Sequence, residues 1–272
     1  MTAPLAMVLQ AIGTNRDGDV SEALTLAGAT VRRMPMAQLL RDPAPLQQAQ
    51  LLVLPGGFSH GDDLGAGRLW ALELRAGLFD ALEAFVAQGR PVLGICNGFQ
   101  ALVKAGLLPG PEAPGVAFAA QRASLACNAE DSDAGGRFVC RWVTLEADAR
   151  CRSPWLTGWP EGRARIHCPI AHGEGRFVAD DATLDALDAG GQLALRYVAG
   201  EGPSDRPHNP NGSARDVAGV CNAAGNVLGL MPHPEDHIRA GQTPQRGGVP
   251  RGRPTLLGLP LFEAGVRLAR QT

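Results

Sequence analysis

The chain has no apolar run near the ~18–20 residues that a membrane-spanning helix requires, so a helical membrane protein is not expected. It opens Met1-Thr2-Ala3-Pro4, without a basic segment or a small-residue cleavage site. No secretory leader is expected, and the cytoplasm is the expected compartment. None of the six cysteines forms a C-x-x-C pair, which argues against a zinc site and leaves no metal expected. In a chain of this length without a leader, the thiols are expected to be reduced. The net charge of −2 gives no reason to expect nucleic acid or an anionic membrane as a partner. No G-x-x-x-x-G-K-[ST] phosphate loop is found, so no ATP chemistry is expected on this chain. There is no internal repeat and no linker-like tract. The 272 residues, 45% hydrophobic and 19% charged, are expected to form a single domain.

The first half alternates strand and helix signals. Residues 5–11, 29–34, 51–54 and 91–95 read as strands. Helices are predicted from a capping box at Asp19-Val20-Ser21-Glu22 through Ala27, over 72–88 and over 98–105. This alternation predicts an α/β fold with an open, mostly parallel central sheet flanked by helices. The second half is richer in strands, predicted at 138–145, 164–170, 193–198, 217–220 and 227–231. They predict an antiparallel extension, with a hairpin connection at Asn222-Ala223-Ala224-Gly225-Asn226. Short helices are predicted near 182–187 and 261–270. Segments 109–136 and 236–254 read as mobile loops; the second carries Arg239, Arg246, Arg251 and Arg253, read as a solvated stretch.

Chemistry concentrates at Gly94-Ile95-Cys96-Asn97-Gly98-Phe99-Gln100, where an apolar strand stops at a cysteine and a helix starts at once. This is the G-x-C-x-G form of a nucleophile elbow. The positive end of the following helix favours a thiolate there. A cysteine nucleophile needs a base, and the base an orienting group. Met231-Pro232-His233-Pro234-Glu235 offers both: in extended geometry residues two apart project to one side, so His233 and Glu235 are expected to point into one cleft or to pair with each other around the bend. Cys96, His233 and Glu235 are therefore the candidate catalytic residues.

Acyl transfer also needs donors for an oxyanion. The backbone N–H of Asn97 is one candidate, and Gly57, in Pro55-Gly56-Gly57-Phe58 at another strand end, is the second. Gly56, Phe58, Gln100 and His172 are candidate contacts for a polar substrate. Gln100 lies one helical turn beyond Cys96. His172 lies in a polar, glycine-punctuated segment and offers a rival base to His233.

Elbow, double-glycine loop and His-x-Glu, in that order, resemble the class I, triad-type glutamine amidotransferases. Leu54-Pro55-Gly56-Gly57-Phe58-Ser59-His60-Gly61-Asp62, Pro169-Ile170-Ala171-His172-Gly173-Glu174-Gly175-Arg176 and Asn211-Gly212-Ser213 narrow the resemblance. They are similar to the glutaminase subunits of phosphoribosylformylglycinamidine synthase. The resemblance implies a flavodoxin-like amidotransferase domain over 1–272 and glutamine as substrate. It implies hydrolysis through a cysteinyl thioester and delivery of ammonia to a large synthetase subunit. That subunit would hold ATP and Mg and act on formylglycinamide ribonucleotide in de novo purine synthesis, and a small third subunit would bridge the two. Cys96 would be the nucleophile, His233 the base and Glu235 its orienter. One departure is Asp236-His237 after the His-Pro-Glu segment, where the family commonly has arginine. The alternatives are a cysteine hydrolase of the related intracellular-protease or chaperone type, which usually has histidine after the cysteine, and a non-catalytic scaffold subunit.

Overall fold

A computed structural model describes residues 2–111, 120–159, 165–200, 206–242 and 256–272. In chain order its elements are β1 (Leu5–Gln10), α1 (Asp17–Leu26), β2 (Thr30–Pro35), α2 (Met36–Arg41), α3 (Ala44–Gln47) and β3 (Leu51–Leu54). They continue with α4 (Arg68–Gly77), α5 (Phe79–Ala87), β4 (Val92–Ile95), α6 (Asn97–Ala105), β5 (Ser124–Ala126), β6 (Val139–Ala147), β7 (Arg165–His172) and β8 (Arg176–Val178). The last are α7 (Asp181–Ala189), β9 (Leu193–Val198), β10 (Val217–Cys221), β11 (Val227–Leu230) and α8 (Leu259–Ala269).

Nine strands form one sheet in the order β2-β1-β3-β4-β11-β10-β9-β6-β7, and β5 and β8 form a separate antiparallel pair. From β2 to β11 every neighbour is parallel. From β11 to β7 every neighbour is antiparallel. The expected parallel block and antiparallel extension are both present. Sequence texture explains the division. β3, β4 and β11 are buried at every position, as continuous apolar strands covered on both faces must be. β7 instead alternates half-buried and buried residues along its length, the period of a strand with one solvated face.

Three local expectations are corrected. The helix predicted over 72–88 is two helices, α4 and α5, parted where Leu78 leaves helical geometry at φ −128°, ψ 11°. Apolar spacing runs through the break because both helices bury the same side. α1 starts before the predicted capping box; Arg16 occupies its N-cap without a side-chain cap bond, and Asp19 accepts from the Arg16 guanidinium at 3.3 Å. The stretch predicted as a loop over 109–136 contains β5, paired to β8. Residues 112–119 of that stretch, and 243–254 of the other, lie outside the described residues, as do Arg246, Arg251 and Arg253. Arg239 is described and pairs with Glu22. Among the described residues no helix is long and apolar enough to cross a membrane.

The parallel block positions the site. β3, β4 and β11 are neighbours that run in one direction, so the loops that follow them emerge side by side. Those loops begin with Gly56-Gly57, Cys96 and Met231-Pro232-His233. The carboxyl ends of parallel strands are where such sheets bind ligands.

Candidate active site

Cys96 sits between β4 and α6 with φ 49° and ψ −106°. A non-glycine residue at positive φ is strained, and here the strain belongs to the sharp strand-to-helix turn that presents a nucleophile. Gly98 makes that turn feasible. A Cβ on it would lie 1.9 Å from the carbonyl oxygen of Leu54, so β3 and the first turn of α6 approach as closely as backbones can. α6 then runs with its first N–H groups directed at the sulfur's surroundings, and these groups have no partner within the helix. The thiol is 5% exposed and lies 3.7 Å from the Ala171 carbonyl oxygen.

His233 follows β11 as the N-cap of a short 3-10 turn, Pro234–His237, and not in the extended geometry expected, and its ring feels the charge of Cys96. Its Nδ1 meets Glu235 Oε1 at 2.8 Å, and both side chains are almost fully buried. Burial alone would drive the imidazole toward its neutral form. The Glu235 and Cys96 charges outweigh it, and the imidazolium is held well above the ordinary histidine range. Gly56 packs against this ring; a Cβ there would sit 2.8 Å from His233 Cε1. Gly56 therefore supports the histidine rather than lining the substrate cavity.

That cavity measures about 140 Å³ and is lined by Gly57, Phe58, Asp62, Cys96, Gln100 and Phe138, closed by residues 171–174. Its volume is that of a small-molecule site. Gly57 adopts φ 146°, and a Cβ would fall 2.8 Å from the Asn15 nitrogen, so the loop's backbone passes close to α1's approach and reaches the cavity without a side chain. Phe58 and Phe138 stand at its mouth, ring centroids 6.3 Å apart, and each is about half exposed. A wider groove of about 720 Å³ lies alongside, between α4 and β5; it shares Glu174 with the cavity and contains none of Cys96, His233 and Glu235.

His172 also lines the cavity, 3% exposed, with neither ring nitrogen hydrogen-bonded. Burial, followed by the nearby His233, pushes its pKa down to about 3. It is a neutral imidazole with no orienting carboxylate, which favours His233 in the competition for the base. Gln100 Nε2 donates to the Glu174 carbonyl at 2.6 Å, and its Oε1 accepts from Asn97 Nδ2 at 3.0 Å. Gln100 thus joins the elbow to the 172–175 segment as well as facing the cavity.

The sequence did not reveal how β7 reaches the site. Four strands separate it from β4 in the sheet, yet the sheet curls so that His233 N donates to Pro169 O at 2.8 Å and Cys96 touches Ala171. Asn128 was missed too. Its buried amide donates to the carbonyls of Arg137 and His172 and accepts from Gly175 N at 3.3 Å, fixing the His172 segment. Asp236, which follows the His-Pro-Glu segment, pairs with Arg16 at 3.1 Å. Burial, with Glu235 next, pushes the Asp236 carboxyl up to about 6. Arg16, at the N-cap of α1, is thus the cation set beside the His-Pro-Glu segment. No group of three or more metal-ligating side chains occurs among the described residues.

Comparison with known proteins matches this geometry to a family. A family model described as a CobB/CobQ-like glutamine amidotransferase domain matches residues 3–267. The phosphoribosylformylglycinamidine synthase subunit PurQ of Treponema denticola is 44% identical over 276 residues, covering 97% of this chain and 98% of that protein. The PurQ subunit of Dehalococcoides mccartyi is 36% identical over the whole of both chains. A chain in the solved structure of PurLQS from Thermotoga maritima is 29% identical, superposes with a TM-score of 0.71, and is covered to 99% by 98% of this chain. The chain belongs to the glutamine amidotransferase family, and within it to the PurQ subunits of phosphoribosylformylglycinamidine synthase.

Proposed function

We propose that this chain is the glutaminase subunit of a phosphoribosylformylglycinamidine synthase. It hydrolyses glutamine at Cys96 and delivers the ammonia to a large synthetase subunit, in a complex that includes a small third subunit. The relatives' names and the PurLQS assembly support that setting. The observation that carries the chemistry is the grouping of Cys96, His233 and Glu235 beside a small cavity.

The Cys96 thiolate attacks the side-chain amide carbon of glutamine. Backbone N–H groups at Gly57 and Asn97 receive the oxyanion, each worth about 3 kcal/mol. The His233 imidazolium gives its proton to the leaving ammonia as the carbon–nitrogen bond breaks, leaving a glutamyl thioester. His233 then takes a proton from water, which attacks the thioester and releases glutamate and the Cys96 thiolate. Glu235 holds the ring and balances its charge throughout. ATP and Mg belong to the synthetase, where the acceptor, formylglycinamide ribonucleotide, is aminated. The complex is assigned to the cytoplasm.

The test is a complex assembled with Cys96→Ala, supplied in turn with glutamine and with ammonia. Synthesis that persists with ammonia and stops with glutamine supports the assignment. Retained glutamine-dependent synthesis overturns it.

A further inference from the structure

Asn97 has two separable parts. Its backbone N–H opens α6 beside Cys96. Its side chain, on a residue 1% exposed, makes three hydrogen bonds of its own. Oδ1 accepts from Ser59 N at 3.0 Å. Nδ2 donates to Asp62 Oδ1 at 2.9 Å and to Gln100 Oε1 at 3.0 Å. Gln100 passes the connection to Glu174, whose carboxylate accepts from Ala66 N at 3.2 Å. One amide therefore ties the loop after β3, the elbow after β4 and the segment after β7.

The loop after β3 needs an external hold. His60, Asp62 and Leu64 all have φ between 54° and 63°, and Gly61 is at 69°. Left-handed backbone is unfavourable at a non-glycine residue, so this loop does not keep its shape by local preference. The same loop carries Gly57, two residues before Ser59. Burial works against the Asp62 carboxylate, and the bond from Asn97 opposes that effect.

We propose that the Asn97 side chain is a positioning residue for glutamine hydrolysis: it clasps the Gly57 loop to the Cys96 elbow and so sets the spacing of the two oxyanion donors. This rests on the glutaminase assignment above. A leucine would fill much the same space and keep the backbone N–H of residue 97. It would leave Ser59 N and Asp62 without their buried partner.

The experiment uses the complex assembled with Asn97→Leu. Glutamine-dependent kcat is expected to fall tenfold or more, with KM within threefold, while ammonia-dependent synthesis is unchanged. Alkylation of Cys96 by iodoacetamide, followed by mass spectrometry of its peptide, is expected to stay within twofold of the parent. That reaction displaces iodide at a saturated carbon and forms no oxyanion. A kcat within twofold of the parent overturns the proposal. So does a parallel loss of alkylation, or of ammonia-dependent synthesis, because the residue would then only hold the fold. Should Asn97→Leu not fold, Asn97→Asp retains the acceptor for Ser59 N and loses the donated bonds. A three- to tenfold lower kcat at parental alkylation is then expected, and a parental kcat overturns the proposal. A parent complex that uses ammonia but not glutamine would overturn the glutaminase assignment itself, and is examined before any variant.

Discussion

Glu235 meets His233 Nδ1 through Oε1 at 2.8 Å, while its other oxygen, Oε2, is buried without a hydrogen-bond partner among the described residues. The imidazole is therefore the carboxylate's one hydrogen-bonded partner among the described residues, although its charge also reaches Asp236 and Arg16. Pro234 opens a short 3-10 turn over Pro234–His237 with His233 as its N-cap, and this bend brings Glu235 back onto the imidazole. The pair differs from a surface ion pair, whose contribution is typically small, because solvent screens neither partner.

Glu235→Gln separates the geometry of this pair from its charge. The amide oxygen can still accept from Nδ1, so ring orientation is retained. The negative charge that raises the His233 pKa is removed. Glutamine-dependent kcat/KM is expected to fall by up to about 10⁴-fold. The alkaline limb of its pH profile is expected to move to lower pH, since the imidazolium loses its proton sooner. Steady-state rates from pH 6 to 9, with ammonia-dependent synthesis as the reference, check both effects. An unmoved alkaline limb would show that Glu235 acts by shape alone.

Gly98→Ala tests the close approach that forms the elbow. The added Cβ would meet the Leu54 carbonyl 1.9 Å away, a backbone atom that cannot rotate aside. Either β3 separates from α6 or the elbow opens. Overpacking of this kind costs about 1–3 kcal/mol and occasionally more, and a clash with backbone belongs at the upper end. Thermal unfolding is expected to come several degrees lower, with glutamine turnover lost well below the new midpoint. An alanine variant with parental stability and turnover would contradict the packing described here.

Much of this site was legible because its chemistry is local. Gly94, Cys96 and Gly98 lie within five residues, and His233 and Glu235 within three, so their spacing carries their geometry. The parallel block was legible for a related reason: β3, β4 and β11 are buried on both faces and read as unbroken apolar runs. What stayed hidden depends on contacts far apart in sequence. Ala171 touches Cys96 across 75 positions, and Asn97 holds Ser59 across 38. No period or motif encodes the curl that brings β7 over the parallel strands. The break between α4 and α5 was hidden because both helices continue one apolar stripe. Asn128, in a segment without regular spacing, gave no sign that its amide would fix three backbone groups.

His172 gives the pH dependence a sign. Its folded pKa is about 3 against an ordinary value of 6.5. The unfolded chain therefore binds a proton that the folded chain refuses. The stability this group contributes is complete above pH 6.5 and declines as pH falls toward 3. Between pH 7.5 and 5.5 the loss from this one group is about 1.4 kcal/mol, or roughly 2–3 °C in a protein of this size. His172→Gln has nothing to titrate there. Its unfolding midpoint is expected to fall by about 2–3 °C less than the parent's between the two pH values. Comparing each protein with itself removes the packing change that the substitution brings. Equal drops in parent and variant would mean that His172 takes up its proton in the folded state, either by turning toward solvent or by finding a carboxylate such as Glu174 across the cavity.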